Sequence, residues 1–155
     1  MPIRPKTTFL LAEDSPDDAY LVELEFKKVT HLQLRVVKDG QEAIDYLQGV
    51  GPWKDRSKFP LPDVILLDLK MPRLGGFDFL EWMRCEAPLD VKIIPVMVMS
   101  GSNLEKDVKR AYELGANIYM TKPIDWQKFQ ELMKLMGVLW SEYAEVLQKS
   151  DSPTS

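Results

Sequence analysis

The stretch VILLDLKMPRLGG, Val64 to Gly76, decides the fold. Val64–Leu67 is a short apolar run that reads as a buried strand, and it stops abruptly at a carboxylate, Asp68. The same event recurs along the chain. Thr8–Ala12 (TFLLA) stops at Glu13-Asp14, Pro95–Met99 (PVMVM) at Ser100, and Asn117–Met120 shortly before Lys122. In a parallel sheet all strands end at one edge, so these residues would meet in the crevice where open α/β sheets bind ligands. Three carboxylates, a hydroxyl and an ammonium together have the composition of a magnesium-assisted phosphate site.

The segments between these runs read as helices. Ser15-Pro16-Asp17-Asp18 has the marks of a helix start: a capping serine, proline at the first helical position and acids in the first turn. That helix is expected to reach about Val29. Leu32–Val37 alternates as a second strand, and Gln41–Gln48 brings Ala43, Ile44 and Leu47 to helical spacing. Phe77–Cys85 is a third helix with Phe77, Leu80 and Arg84 along one side. Pro95 opens its strand, where no ladder donor is needed. Asn103–Leu114 is a polar helix closed by Gly115, and a last helix begins at Asp125. Five βα units predict an α/β fold, a five-stranded parallel sheet in a doubly wound three-layer sandwich with right-handed crossovers.

Composition bounds the reading. At 155 residues the chain has the size of one domain. Residues 1–148 read as that domain, including an extended C-terminal helical segment, and 149–155 as a short disordered tail. Hydrophobic residues at 45% and a net charge of −4 are ordinary and do not point to nucleic acid. The single cysteine, Cys85, excludes an internal disulfide framework and fits a reducing compartment. The N-terminal apolar run is too short for a signal peptide, and no run of ~18 apolar residues occurs, so the expected location is cytoplasmic, away from membranes. His31 reads as a solvated turn residue, and Met97, Met99 and Met120 as core.

Each polar strand end also has a plain reading. Glu13-Asp14 could be an acidic approach to a helix N-terminus, Asp68 a turn aspartate, Ser100-Gly101 a turn, and Lys122-Pro123 a strand terminus with an X-Pro bond, cis or trans. What favours the site is their common position at the ends of strands one, three, four and five. Glu13, Asp14 and Asp68 would crowd one another; at ~5 Å and an effective dielectric of ~20 each like-charge pair repels by roughly 3 kcal/mol. A divalent cation answers that. Magnesium would take Asp14, Asp68, the backbone carbonyl of Lys70 and a phosphate oxygen, with Glu13 acting through water. Lys122 and Ser100 would then meet two further phosphate oxygens, and the product would be an aspartyl phosphate.

These motifs, ED at Glu13-Asp14, LLDLKMPRLGG around Asp68, MSG at Ser100 and YMTKP ending at Lys122-Pro123, resemble the response-regulator receiver domains of two-component signalling over roughly Thr7 to Met136. The resemblance implies a flavodoxin-like strand order of 2-1-3-4-5. It also implies a histidine kinase as phosphoryl donor, Asp68 as phosphoacceptor, Glu13 and Asp14 as the acidic metal pocket, and Lys122 as the phosphate-pairing lysine. Ser100 and Tyr119 become the switch pair, and the Lys122-Pro123 peptide is expected to be cis. Gly75 departs from the pattern, which commonly has aspartate there. Such a protein is not an enzyme in the usual sense. With no output domain following, it would act through protein contacts at the surface of its fourth and fifth helices.

Two segments resemble a narrower group, the single-domain receivers serving phytochrome histidine kinases. One is Gly49–Pro62 (GVGPWKDRSKFPLP), either a surface loop pinned by Trp53 and Phe59 or a partner-contact loop. The other is the run from Asp125 to about Gln148, ~36 Å long at 1.5 Å per residue, whose Trp126, Phe129, Leu132, Met133, Met136, Leu139, Trp140, Tyr143, Val146 and Leu147 form an apolar stripe. Either it pairs with a second copy, giving a homodimer, or it breaks near Gly137 and folds back. Two other classes compete for the function. A magnesium-dependent phosphohydrolase with an aspartyl nucleophile would carry an aspartate where Lys70 stands, and an FMN binder would not place Glu13 and Asp14 in its phosphate loop.

Overall fold

A computed structural model describes residues 7–29 and 31–135. The five expected strands form one parallel sheet in the order β2-β1-β3-β4-β5. They are β1 (Thr7–Ala12), β2 (Leu32–Val37), β3 (Val64–Leu67), β4 (Val96–Ser100) and β5 (Ile118–Thr121). The helices are α1 (Pro16–Lys27), α2 (Gly40–Gln48), α3 (Gly76–Cys85), α4 (Leu89–Lys92) and α5 (Glu105–Glu113).

The sheet order follows from burial. Every residue of β3 and β4 is buried, as is β1 after Thr7, so these strands take the centre and need cover on both faces. The outer strands β2 and β5 are only partly covered, which is the position of an edge. Met120 therefore lies half-buried on β5 instead of in the core, whereas Met97 and Met99 on β4 are buried as expected.

Helix ends are set by their caps. Ser15 Oγ accepts the Asp18 N–H at 3.3 Å and Pro16 stands at the first helical position of α1, as the sequence predicts. Asp39, which the sequence reading passed over, caps α2 by accepting the Glu42 N–H at 2.8 Å, and Gly49 ends that helix in the left-handed region at φ 68°.

Helix α3 turns a different face inward from the one expected. Its buried side chains are Phe79, Leu80 and Met83, whereas Phe77 is partly covered and Arg84 exposed. Only the rows 76, 79, 80 and 83 share the side that meets the sheet; Phe77 lies beneath the Arg110 guanidinium at 4.4 Å from its ring centre. The short helix α4, between α3 and β4, has no counterpart in the sequence reading. It is a single turn with only Val91 buried, too short to show a periodicity.

The loop from 49 to 62 is held by its own residues. Tyr46, Trp53 and Phe59 pack as a ring cluster with centroids 5.1–6.2 Å apart. Arg56 donates to the carbonyls of Tyr46 (2.8 Å), Phe59 (3.1 Å) and Leu47 (2.7 Å), tying the loop to itself and to the last turn of α2.

The described residues divide into two compact units, with the boundary between Pro123 and Ile124. The second contains a helix over 126–135, begun by Asp125, whose carboxylate accepts the Lys128 N–H at 3.1 Å. Trp126 and Phe129 meet edge to face, 5.4 Å apart. Met136, Leu139, Trp140, Tyr143, Val146 and Leu147 of the expected stripe, and the expected tail 149–155, lie outside the described residues. Among the described residues no helix is long and apolar enough to cross a membrane.

Candidate functional site

The strand ends bring the acids together through backbone register. Ala12 pairs with Leu67 across β1 and β3, the Asp68 N–H donates to the Ala12 carbonyl at 3.0 Å, and the Glu13 N–H donates to the Val37 carbonyl at 3.0 Å. Glu13 and Asp68, first residues past neighbouring strands, therefore face one crevice. Carboxylate oxygens of Glu13, Asp14 and Asp68 all lie within 4.8 Å of one another. Glu13 is 3% exposed and Asp68 6%, whereas Asp14 is open to solvent.

The β3–α3 loop is clamped so that Asp68 keeps its place. Gly76 packs directly on it: a Cβ there would meet the Asp68 carbonyl oxygen at 2.5 Å and Leu69 Cα at 2.7 Å. Gly75 is the N-cap of α3 in extended backbone and supplies no side-chain cap. Leu74 accepts the Gly40 N–H at 2.9 Å, and the Arg73 guanidinium binds the buried carboxylate of Asp39. Burial alone would raise the Asp39 carboxyl, but the Glu42 amide and Arg73 hold it below the usual carboxylate range. Lys70 is exposed, and its N–H lies 3.4 Å from Asp68 Oδ1.

Lys122 reaches into the acids from β5. Its Nζ lies 3.1 Å from each Glu13 oxygen, 2.8 Å from Asp18 Oδ2 and 3.6 Å from Asp68 Oδ2. The Lys122-Pro123 peptide is cis. Asp18 was missed as a site residue: in sequence it reads as one more acid in a helix's first turn, and only the fold brings it 104 positions forward to Lys122. Burial would lower the lysine, but the Asp18 hydrogen bond and the Asp68 and Glu13 charges outweigh it and raise its pKa. For Glu13, burial and then the Asp68 charge push the carboxyl up to about 8 against the pull of Lys122.

A carboxyl held that high beside two further acids is a place short of positive charge. The hard oxygen donors fit a small divalent cation, with Glu13, Asp14 and Asp68 available to hold it.

Ser100 and Tyr119 meet at one residue that the sequence reading did not single out. Ser100, fully buried at the end of β4, accepts the Ser102 N–H on its hydroxyl at 3.2 Å, and the Tyr119 hydroxyl donates to the Ser102 carbonyl at 2.8 Å. Ser102 in turn donates to Asp107 at 2.6 Å, tying the loop to the first turn of α5.

Comparison with known proteins agrees with this geometry. The family model "Response regulator receiver domain" matches residues 9–134. The response regulator Rcp1 of Synechocystis sp. is 34% identical over 140 residues, covering 89% of this chain and 91% of that protein. Among solved structures, the phosphorylated cyanobacterial phytochrome response regulator RcpA superposes with a TM-score of 0.73 at 30% identity, over 87% of this chain and 94% of that one. The Mn(2+)-bound form of Rcp1 gives 0.71 at 33% identity, over 86% and 94%. The motifs, the strand order, the acid cluster under a lysine and the family match lead to one conclusion: this chain belongs to the response regulator receiver domain family, whose members bind a divalent metal and work in two-component signalling.

Proposed function

We propose that Asp68 accepts a phosphoryl group from a phosphohistidine of a phytochrome-type histidine kinase, with Mg2+ as the bound cation. The observation that carries this is the Lys122 ammonium standing 3.6 Å from Asp68 Oδ2 while the oxygens of Glu13, Asp14 and Asp68 lie within 4.8 Å of one another. Glu13, Asp14, Asp68 and the Lys70 carbonyl would hold the ion, which supplies charge neutralisation for the phosphoryl group. In the transfer an Asp68 oxygen forms a bond to phosphorus as the phosphorus–nitrogen bond breaks and the imidazole takes up a proton. Lys122 pairs with one phosphoryl oxygen, and the Ser100 hydroxyl turns from Ser102 to donate to another. Because Tyr119 binds the same Ser102, that turn is felt at the start of α5, and the surface of α5 and β5 changes with it.

The similarity to Rcp1 and RcpA supports the kinase class. Residues 1–148 act in this reading as one cytoplasmic receiver domain, with 149–155 as a tail, signalling through protein contacts and a homodimer made by the C-terminal helical region. Phosphohydrolase turnover is disfavoured because the exposed Lys70, not a carboxylate, stands two residues after Asp68. The test is transfer of label from an autophosphorylated phytochrome-type kinase: the wild-type chain is expected to take it and Asp68→Asn to take none. Label retained by the variant would refute the assignment. For the dimer, light scattering of the full chain against one ending at Met136 is expected to show a twofold loss of mass beyond the deletion; two monomers would refute it.

A further inference from the structure

We propose that Asp18, in the first turn of α1, is a positioning residue for phosphoryl transfer: it holds the Lys122 ammonium so that its remaining proton faces Asp68. This rests on the reading of Asp68 as phosphoacceptor and adds a residue outside the acid cluster. An ammonium has three donors and no acceptor. The shortest bond goes to Asp18 Oδ2 at 2.8 Å, and the two Glu13 oxygens at 3.1 Å each share a second donor. The third is left for Asp68, whose Oδ2 at 3.6 Å lies just beyond hydrogen-bond reach and within easy reach of a phosphoryl oxygen attached there.

Without Asp18, the only carboxylate among the described residues within hydrogen-bond distance of Nζ is the buried Glu13, and the ammonium would settle onto it. Two carboxylate anchors share the ammonium. Asp18 suits this task because its own place is fixed. Its N–H is bound to Ser15 Oγ, Pro16 sets the turn, and the positive end of α1 favours its charge. It is not one of the three acids that fit a cation, so its removal acts on the site through Lys122.

The experiment is the rate at which acetyl phosphate labels the protein at saturating magnesium, followed by intact mass with peptide mapping. In this reaction Asp68 gains the bond to phosphorus and the donor leaves as acetate. Wild type, Asp18→Ala and Asp18→Asn are compared, with magnesium affinity measured on each by calorimetry. Asp18→Ala is expected to slow labelling by about tenfold to a hundredfold, the upper figure being what a misplacement of ~1 Å can cost. Asp18→Asn keeps an acceptor oxygen and is expected to recover most of that loss; labelling is read at magnesium that saturates each variant, so weaker magnesium binding in Asp18→Ala, from an ammonium drawn onto Glu13, does not enter the rate. Labelling of Asp18→Ala at the wild-type rate overturns the proposal, as does an equal loss in both variants. Wild-type protein that takes no label on Asp68 overturns the underlying functional reading as well, which separates the two failures.

Discussion

Replacing Lys122 by methionine keeps most of the side chain's stem and removes its charge from among three carboxylates. Above about pH 8, where Glu13 is ionised, an ammonium 3.1 Å from Glu13 and 2.8 Å from Asp18 is attracted by roughly 5 and 6 kcal/mol at an effective dielectric of ~20. Desolvation and the water that reaches Asp18 cancel most of this, leaving a net cost of about 3 kcal/mol, the low end for breaking a buried pair. For a chain of this size that is a fall in Tm of about 6–12 °C.

The loss should depend on pH in a definite direction. Glu13, already pushed up to about 8 from an ordinary 4.5, rises further once Lys122 is gone. A carboxyl whose folded pKa lies above its unfolded one contributes stability that is complete below the unfolded value and is lost as pH rises through the folded value. The variant should therefore be nearest to wild type at pH 5 and furthest from it above pH 8. Magnesium should close much of the gap, because a cation among Glu13, Asp14 and Asp68 replaces the missing charge, and it should bind the variant more tightly since no ammonium competes. Thermal unfolding followed by circular dichroism, in chelator and in millimolar magnesium, reads all of this. A variant as stable as wild type in chelator, or a deficit unchanged by magnesium, would refute the reasoning.

Two further outcomes are expected. Magnesium affinity of the wild-type chain should weaken as pH falls below about 8, by up to tenfold per unit, because the Glu13 proton must leave when the ion binds; calorimetry in buffers of different ionisation heat should show uptake by the buffer of up to one proton, and pH-independent affinity would contradict it. Arg56→Met should cost about 1–3 kcal/mol by removing hydrogen bonds to the Leu47, Phe59 and Tyr46 carbonyls, the last of which keeps the Gly49 N–H, yet leave acetyl phosphate labelling unchanged. Slower labelling would tie that loop to the site.

The parallel sheet was legible because its strands are short apolar runs with sharp polar ends, and the ends named the acids, Ser100 and Lys122 directly. Tyr119 came only from the family pattern, for nothing in its own spacing separates it from an ordinary strand aromatic. Asp18, Asp39 and Ser102 stayed hidden for one physical reason: each is a common capping or turn residue whose importance lies in a partner far along the chain or in a loop's exact path. The inward side of α3 was misjudged because Phe77, Phe79 and Leu80 are all apolar, and only contact with the sheet distinguishes 79 and 80 from 77. Helix α4 offers one turn, too little sequence to carry a period.

The most direct measurement of the central claim is peptide mapping of the chain after incubation with acetyl phosphate, once with magnesium and once with chelator. The account predicts one phosphoryl group per chain, on Asp68, with magnesium, and none with chelator. Labelling that ignores the metal, or that falls on a residue other than Asp68, would contradict it.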